Sequence, residues 1–303
     1  MKRQMIRLLL VLLFATVAVG CTKTINVEQQ PYESRLALEG LLMPGSTPQI
    51  FLTKTVPFFT SDQTPSTLFV RDADLSIEGP DGVDLLVVDS TYNQFYCRYE
   101  PFYRGSIPIR FDATYHLRLT HSERLYEAST VTNIPAVTIT HTEYVSEFVD
   151  IYGGHEGVIV DFDDIPGRAD QYRFEMTRLL DNTHETVDER EYSSACLPDG
   201  EIIEVRDIGR FIYFDDRLDG APVRFVVEPA HTHRKGDVAF LYIQSLDRAA
   251  ADYYDRLDRQ REANVNPFIE PVFLSSSIDG LIGVFGAMNR SPVVEFIFPE
   301  DAL

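Results

Sequence analysis

The stretch Asp112-Ala113-Thr114-Tyr115-His116-Leu117 decides which fold this sequence predicts. It matches the tyrosine corner, in which a Tyr near the start of a strand packs at the sheet edge while its hydroxyl group bonds to backbone a few residues upstream. Asp112 provides the tight entry to the corner, and Leu117 stands where antibody domains place a cysteine. The motif is typical of sandwiches built from two antiparallel sheets.

Around the corner, short apolar runs alternate with polar residues, and Gly- or Pro-rich turns separate them. Residues 36–42 show this alternation and are followed by a turn at 44–46. Residues 83–88 and 93–99 predict further strands, and no helical period intervenes. The series predicts an immunoglobulin-like antiparallel β-sandwich over residues 33–136.

Residues 137–303 predict a second β-rich domain that carries one amphipathic helix at about 245–264. Apolar residues recur there at spacings of three and four: Leu246, Ala250, Tyr253 and Leu257. Ser245 is placed to cap the helix N-terminus. Tyr254 lies beside the apolar stripe, so the pattern predicts an exposed tyrosine there.

Residues 1–20 have the features of an export signal: a charged start, a 12-residue apolar core and a small residue before Cys21. The core is too short to span a bilayer as a retained helix. Residues 17–21 resemble the lipobox of bacterial lipoproteins, although Ala18 stands where Leu is usual. The resemblance implies a lipid on Cys21, followed by a polar tether over 21–32; a plain signal peptide with a chance cysteine is the alternative.

The charge balance excludes nucleic acid as a partner. Removing Lys2, Arg3 and Arg7 from the 27 basic residues leaves 24 against 47 acidic ones, a net charge of −23. Such a surface is repelled by phosphate backbones and by anionic lipid headgroups. Attachment to a membrane would therefore depend on the lipid at Cys21.

Cys97 and Cys196 form an even pair, which in an exported chain indicates a possible disulfide. A bridge between residues 99 apart would stabilise the fold by about 4 to 5 kcal/mol in the chain-entropy model. Two buried free thiols in separate cores are the alternative.

Two clusters contain residue types that can ligate metals, but no metal or other cofactor is predicted. Glu156, Asp161, Asp163 and Asp164 offer oxygen ligands for calcium, but Asp is also favoured at the Pro-Gly turn that follows them. His231 and His233 share a face of an extended segment without a recognisable third zinc ligand, so an exposed pair is predicted.

No catalytic residue is predicted. The sequence has no HExxH, no G-x-S-x-G and no Gly-rich phosphate loop. A dense aromatic group could line a sugar or peptide groove, but packing in the core and at the sheet edge is the preferred interpretation because the chain has no Trp. Its members are Tyr92, Phe95, Tyr96, Tyr99, Phe102 and Tyr103.

Several stretches together resemble a family of Bacteroidota lipoproteins known as domain of unknown function 4249. They are residues 36–42, 112–119, the segment from Asp163 to Tyr172, and 266–286, where Ser277 replaces the usual Asn. Members of this family are often encoded beside outer-membrane TonB-dependent transporters. The resemblance implies an accessory role in uptake and supplies no catalytic or binding residues.

We therefore expect a non-enzymatic, lipid-anchored binding protein of the outer membrane, facing the periplasm or the cell surface, and accessory to a TonB-dependent transporter. A surface adhesion or assembly scaffold is the alternative, because immunoglobulin-like sandwiches often serve as scaffolds. A hydrolase with an unrecognised site is a remote third hypothesis.

Overall fold

The structure is a computed structural model that describes residues 32–57, 60, 63–150, 153–182, 194, 196–198, 200–216, 219–230, 232–266, 268, 270, 272–274 and 276–302. The predicted leader 1–20, Cys21, most of the tether, and His231 lie outside these residues. Among the described residues no helix combines the length and apolar character that crossing a bilayer requires.

Strands dominate the described chain, which confirms the predicted mostly-β fold. In chain order the strands are β1 (Leu36–Leu42), β2 (Gln49–Lys54), β3 (Asp74–Gly79), β4 (Gly82–Leu85), β5 (Val87–Asn93), β6 (Arg98–Arg104), β7 (Thr114–His121), β8 (Arg124–Val131), β9 (Ile139–Asp150), β10 (Gly153–Asp163), β11 (Gln171–Asp181), β12 (Ile202–Ile208), β13 (Tyr213–Phe214), β14 (Pro222–Val227), β15 (Val238–Leu246), β16 (Ile282–Arg290) and β17 (Val294–Ile297). The helices are α1 (Pro65–Leu68) and α2 (Arg248–Val265).

One ten-stranded sheet forms the centre of the fold. Its order is β12-β11-β15-β16-β1-β2-β6-β5, with β13 added beside β11 and β17 beside β15. Two smaller sheets, β4-β3-β7-β8 and β14-β10-β9, are separate from it. The core residues show that each small sheet packs on a different half of the large one, so the large sheet is shared by two sandwiches.

The first sandwich contains the tyrosine corner. The Tyr115 hydroxyl oxygen accepts a hydrogen bond of 2.7 Å from the Arg110 backbone N–H, five residues upstream. Asp112 has a φ of 55°, the left-handed conformation that turns the chain into β7. The Tyr115 ring occupies the space beside Gly79, where a Cβ would come within 2.3 Å of the ring. The local signature of the motif therefore forms as predicted.

The second sandwich buries an apolar core between β10 and the pair β11 and β15. Phe162, Tyr172, Leu241 and Ile243 are all fully buried in it. The strand pattern explains this packing, because alternate residues of each strand point to the same face of its sheet.

The boundary predicted between residues 136 and 137 does not separate the sheets. β1 pairs in parallel with β16, from Ala37 beside Ile282 to Leu42 beside Ala287, and residues Ser34–Leu303 form one compact unit. The close approach of β1 and β16 requires a glycine at position 283, since a Cβ on Gly283 would lie 1.8 Å from the Leu38 carbonyl oxygen. The sequence does not reveal this pairing, because the two parallel strands are far apart along the chain and no short turn joins them.

The predicted helix at 245–264 is present as α2, displaced toward the C-terminus. Ser245 is not its cap, because β15 continues through Leu246. The cap is Asp247, whose carboxylate accepts a 2.7 Å hydrogen bond from the Ala250 N–H. Tyr254 was predicted to be exposed and is instead buried, because the face of α2 that packs on β16 and β11 includes this residue as well as the predicted apolar stripe.

Candidate functional site

The hairpin of β5 and β6 projects beyond its neighbour in the large sheet. β5 and β6 pair along their full length, whereas β2 pairs with β6 only at Tyr103 and Arg104. Residues 93–99 were predicted as a strand, but residues 94–97 are the turn of this hairpin. The Asn93 side chain accepts hydrogen bonds from the backbone N–H groups of Phe95 and Tyr96, which bends the chain. We call residues 90–100 the aromatic arm.

The aromatic residues of this region divide into two groups. Phe102 and Tyr103 are both buried: Tyr103 belongs to the core of the first sandwich, and the Phe102 ring lies 5.8 Å from that of Phe51 between centroids. The other four are exposed on the arm, with exposed fractions of 43% for Tyr92, 39% for Phe95, 57% for Tyr96 and 63% for Tyr99. Burial therefore accounts for Phe102 and Tyr103, and not for the four aromatic residues on the arm.

The rings of the aromatic arm are arranged in contact with one another. The ring centroids of Tyr92 and Tyr99 lie 5.1 Å apart across the hairpin. Those of Phe95 and Tyr96 lie 4.7 Å apart, edge to face. The Arg98 guanidinium lies 4.6 Å from the Tyr96 ring centroid, within the range of a cation–π contact. Exposed tyrosines with an arginine among them have the composition of protein-binding hot spots.

A disulfide joins the tip of the aromatic arm to a distant segment of the chain. Cys97 and Cys196 are bonded, with their Cα atoms 5.6 Å apart. Beside the bridge, the Ser194 hydroxyl donates a 2.5 Å hydrogen bond to the Gln94 carbonyl oxygen. Of the two alternatives for this cysteine pair, a disulfide or two free thiols, the structure shows the disulfide.

Asn182 holds the segment that receives the arm. This buried side chain follows β11 directly, and its amide donates to the carbonyl oxygens of Leu197 at 2.8 Å and Pro198 at 3.0 Å. Its carbonyl oxygen accepts a 2.7 Å hydrogen bond from the Ser194 N–H. The arm is thus fixed to the end of a core strand. Sequence reasoning missed Asn182, because nothing in the local pattern marks it.

The four carboxylates that could ligate calcium, those of Glu156, Asp161, Asp163 and Asp164, do not converge. Asp161 forms two hydrogen bonds of 2.7 Å with Arg224, and this pairing lowers the pKa of its carboxyl. Glu156 accepts a 2.8 Å hydrogen bond from the Tyr144 hydroxyl. Of the four, Asp164 alone belongs to a cluster of acidic residues within the described part of the chain.

Among the described residues, that cluster comprises Asp164, Asp215 and Asp219, with one oxygen of each within 4.8 Å of the others. Hard cations take oxygen ligands at such separations. Asp164 already accepts hydrogen bonds from the Tyr172 hydroxyl at 2.6 Å and the Gly220 N–H at 2.7 Å. The Asp164 carboxylate therefore bonds to the protein itself, and the cluster ties the β10–β11 turn to the loop before β14.

His233 was predicted to be exposed and is instead buried. Its ring stacks on Phe298 with centroids 4.0 Å apart, and Nδ1 lies 3.6 Å from a Glu156 carboxylate oxygen. Burial lowers the pKa of His233, and Glu156 opposes that effect. Burial also raises the pKa of Tyr144 to about 12, helped by its hydrogen bond to Glu156. Phe298, which covers the His233 ring, belongs to the C-terminal segment, so the local sequence around His233 does not reveal its burial.

A polar network lies between α2 and the large sheet, and sequence reasoning did not identify it. Buried Glu175 accepts hydrogen bonds from Arg206 at 2.6 Å and Arg290 at 2.9 Å. Arg173 donates two hydrogen bonds to Gln244 and stacks on the Tyr254 ring. Burial lowers the pKa of Arg173. These contacts satisfy charges that would otherwise be costly to bury, so the network is structural.

Comparison with known families gives a match that covers most of the chain. Residues 22–292 match the family model described as a domain of unknown function, DUF4249. Comparison with curated proteins gives no match. The match extends over the first sandwich, the aromatic arm, α2 and the second sandwich except β17.

Proposed function

Since the chain belongs to the DUF4249 family, whose description assigns no activity, we propose a function from its surface: a lipid-anchored, non-enzymatic binding protein of the cell envelope. The protein holds a polypeptide partner through the aromatic arm. The lipid on Cys21 keeps it at the outer membrane, where the partner is a TonB-dependent transporter.

The observation that carries this proposal is the exposure of the tyrosine rings on a braced hairpin. Tyr96 and Tyr99 are more than half exposed, although each ring would gain from burial. Tyrosine supplies a large contact area and loses little rotamer freedom on binding. The disulfide and the Ser194 hydrogen bond limit the motion of the arm, which lowers the entropy cost of association.

Charge supports a partner that is not strongly acidic. The chain has 47 acidic and 27 basic residues, so a nucleic acid or an anionic bilayer would be repelled. The arm itself is locally balanced, because Arg98 lies 3.3 Å from the Glu100 carboxylate. An aromatic surface of low net charge on an acidic protein suits a protein partner with basic or neutral contact residues.

Site-specific crosslinking in native membranes tests the proposal. A photoreactive amino acid replaces Tyr96 in one version of the protein and Leu125 in the control. Leu125 is 54% exposed and belongs to β8, on the small sheet of the first sandwich. After illumination, mild detergent extraction and mass spectrometry, we expect an outer-membrane transporter to be crosslinked from position 96 and not from position 125.

The alternatives give different results in the same experiment. Crosslinks to matrix or surface structural proteins would favour the adhesion or assembly scaffold. Equal crosslinking from both positions, or no crosslinked partner, would contradict the role of the aromatic arm.

A further inference from the structure

β5 is the last strand at one end of the ten-stranded sheet. It pairs with β6 from Val87 to Asn93, and among the described residues no strand pairs with its other side. Such an edge presents backbone donors and acceptors that can pair with another chain. Tyr92, near the end of the strand, already belongs to the aromatic arm, so edge and arm form one continuous surface.

The ladder shows which backbone groups face outward. On β6, the Gly105 N–H bonds to the Pro48 carbonyl on the β2 side. The Ser90 N–H is taken by the Asp89 carboxylate at 2.8 Å. Hydrogen-bonded and non-hydrogen-bonded residue pairs alternate along an antiparallel pair of strands. Every second residue of β5 therefore directs its N–H and C=O groups away from β6, and these residues are Val88, Ser90 and Tyr92.

β5 lacks the features that usually protect an edge strand. Its sequence, VVDSTYN, contains no Pro, Gly or Lys, and its pairing with β6 has no register shift. Its one charged side chain, Asp89, lies 2.9 Å from Arg104 in an ion pair. Val87 is 59% exposed and Val88 41%. Both are β-branched residues that favour strand pairing.

Other edges in the described sheets are better protected. β12 carries three charged residues and β8 carries two. β14 begins with Pro222, β4 has only four residues, and β9 pairs with β10 through two register shifts. β5 is therefore the edge best suited to accept a strand.

Charge indicates which strand would be accepted. A second copy of this chain would bring another formal charge of −20 to the interface, which opposes self-pairing. A basic segment is attracted instead. The rings of Tyr92 and Tyr99 at the end of the edge can receive the cationic side chains of such a segment.

We propose that the outer edge of β5 accepts an extended, basic segment of a partner polypeptide as an added strand, with part of that segment lying on Tyr92 and Tyr99. Main-chain hydrogen bonds to the N–H and carbonyl groups of Val88 and Tyr92, and to the Ser90 carbonyl oxygen, provide affinity, and the charge and rings provide selectivity. This inference rests on the proposed function, since it specifies how the aromatic arm holds its partner.

The test uses a labelled synthetic heptapeptide, Lys-Val-Lys-Val-Thr-Val-Lys, and the full mature chain in detergent, with fluorescence anisotropy as the readout. Val88→Pro removes one outward N–H and leaves the bonds to β6 intact, whereas Val88→Ala shortens the same side chain and keeps that N–H. We expect Val88→Pro to weaken peptide binding about tenfold or more and Val88→Ala to weaken it less than about threefold. Equal losses in the two variants, or no binding to the unaltered protein, would overturn the proposal.

Two peptide controls make the result independent of whether Val88→Pro folds. N-methylation of the three Val residues blocks one edge of the peptide, and N-methylation of the Lys and Thr residues blocks the other. We expect only one of these peptides to lose binding, because an added strand uses one of its edges; equal binding by both would overturn strand pairing. A peptide with Glu in place of every Lys should bind more weakly, and unchanged binding would overturn the charge assignment.

Sedimentation and crosslinking distinguish the remaining outcomes. If the unaltered protein dimerises and Val88→Pro is monomeric, the occupant is a second copy and the partner assignment is wrong. If Tyr96→Ala abolishes capture of a transporter while Val88→Pro does not, the proposed function stands and strand addition falls. Loss of capture in Val88→Pro with retention in Val88→Ala supports both.

Discussion

The proton affinity of the His233 ring is set mainly by its burial. The ring is enclosed by Phe298 and Tyr144, and its Nδ1 lies 3.6 Å from the Glu156 carboxylate. Arg178, also fully buried, opposes protonation of the ring. Asp237 and Asp301 favour protonation, but desolvation exceeds them and the pKa of His233 is lowered.

Acidification should therefore destabilise the protein through His233. The unfolded chain has the usual His pKa of about 6.5, whereas the folded pKa is lower. Between these values the unfolded state binds more protons, so stability is full above pH ~6.5 and falls as the pH drops toward the folded pKa. His233→Phe should reduce this loss between pH 7.5 and 5.5, measured by urea unfolding.

His116→Phe is the matched control, because His116 is exposed on β7. It should reduce the acid-induced loss of stability less than His233→Phe does. An equal reduction in both variants would show that burial of His233 is not the cause.

At the scale of elements, α2 depends on its cap. Asp247 accepts hydrogen bonds from the N–H groups of Ala250 and Ala287, at 2.7 and 2.6 Å, and from the Thr130 hydroxyl at 2.9 Å. One carboxylate thus connects α2, β16 and β8. Burial raises the pKa of Asp247, and the hydrogen bonds oppose that effect.

Asp247→Ala should lower the free energy of unfolding by about 2 to 4 kcal/mol, since it removes a helix cap and leaves further donors unsatisfied. Chemical denaturation provides the measurement. Asp252→Ala, which removes only an exposed ion pair with Arg248 in the same helix, should change stability by less than about 1 kcal/mol. Similar losses in the two variants would argue against the special role of the cap.

Elements that depend on local residue spacing were predicted correctly from the sequence, and boundaries and turns that depend on particular contacts were not. The tyrosine corner and the existence of α2 follow from local spacing, and both are present. The N-terminus of α2 was misplaced because Ser245 remains in β15, where it pairs with Tyr172. The hairpin turn at 94–97 was missed because it depends on the Asn93 side chain and on a φ of 52° at Cys97.

At the scale of the whole molecule, the disulfide is a second link between the two sandwiches. β1 and β16 join them through the large sheet, and the bond from Cys97 to Cys196 joins the aromatic arm to the segment after β11. The cysteines are 99 residues apart, so the bridge closes a long loop of chain.

The double change Cys97→Ser with Cys196→Ser should lower the free energy of unfolding by about 4 to 5 kcal/mol in the chain-entropy model. It should also increase hydrogen exchange in residues 90–100, because the tip of the arm loses its covalent link. Guanidinium unfolding and exchange mass spectrometry measure the two effects. Two reactive thiols from this pair in denaturant without reductant would contradict the bridge.

Cys21→Ser should release the protein from membranes as a soluble, folded chain, since its acidic surface gives it no attraction to anionic lipid. Fractionation shows the release, and an unchanged melting temperature shows that the fold persists. If Cys21→Ser stays on membranes and is released only when the rings of the aromatic arm are also removed, a partner, and not the lipid, is the anchor.

The sequence alone determined the mostly-β class, the tyrosine corner, one helix and the likeness to a family that the match over residues 22–292 confirms. These properties depend on short-range spacing and on the order of turns. Tertiary structure alone decided that one sheet serves both sandwiches, that His233 and Tyr254 are buried, and that Asp164 meets Asp215. It also decided which aromatic rings remain exposed on the arm. Each of these depends on segments that are distant along the chain and become neighbours only when strands pair, and local spacing carries no record of those pairings.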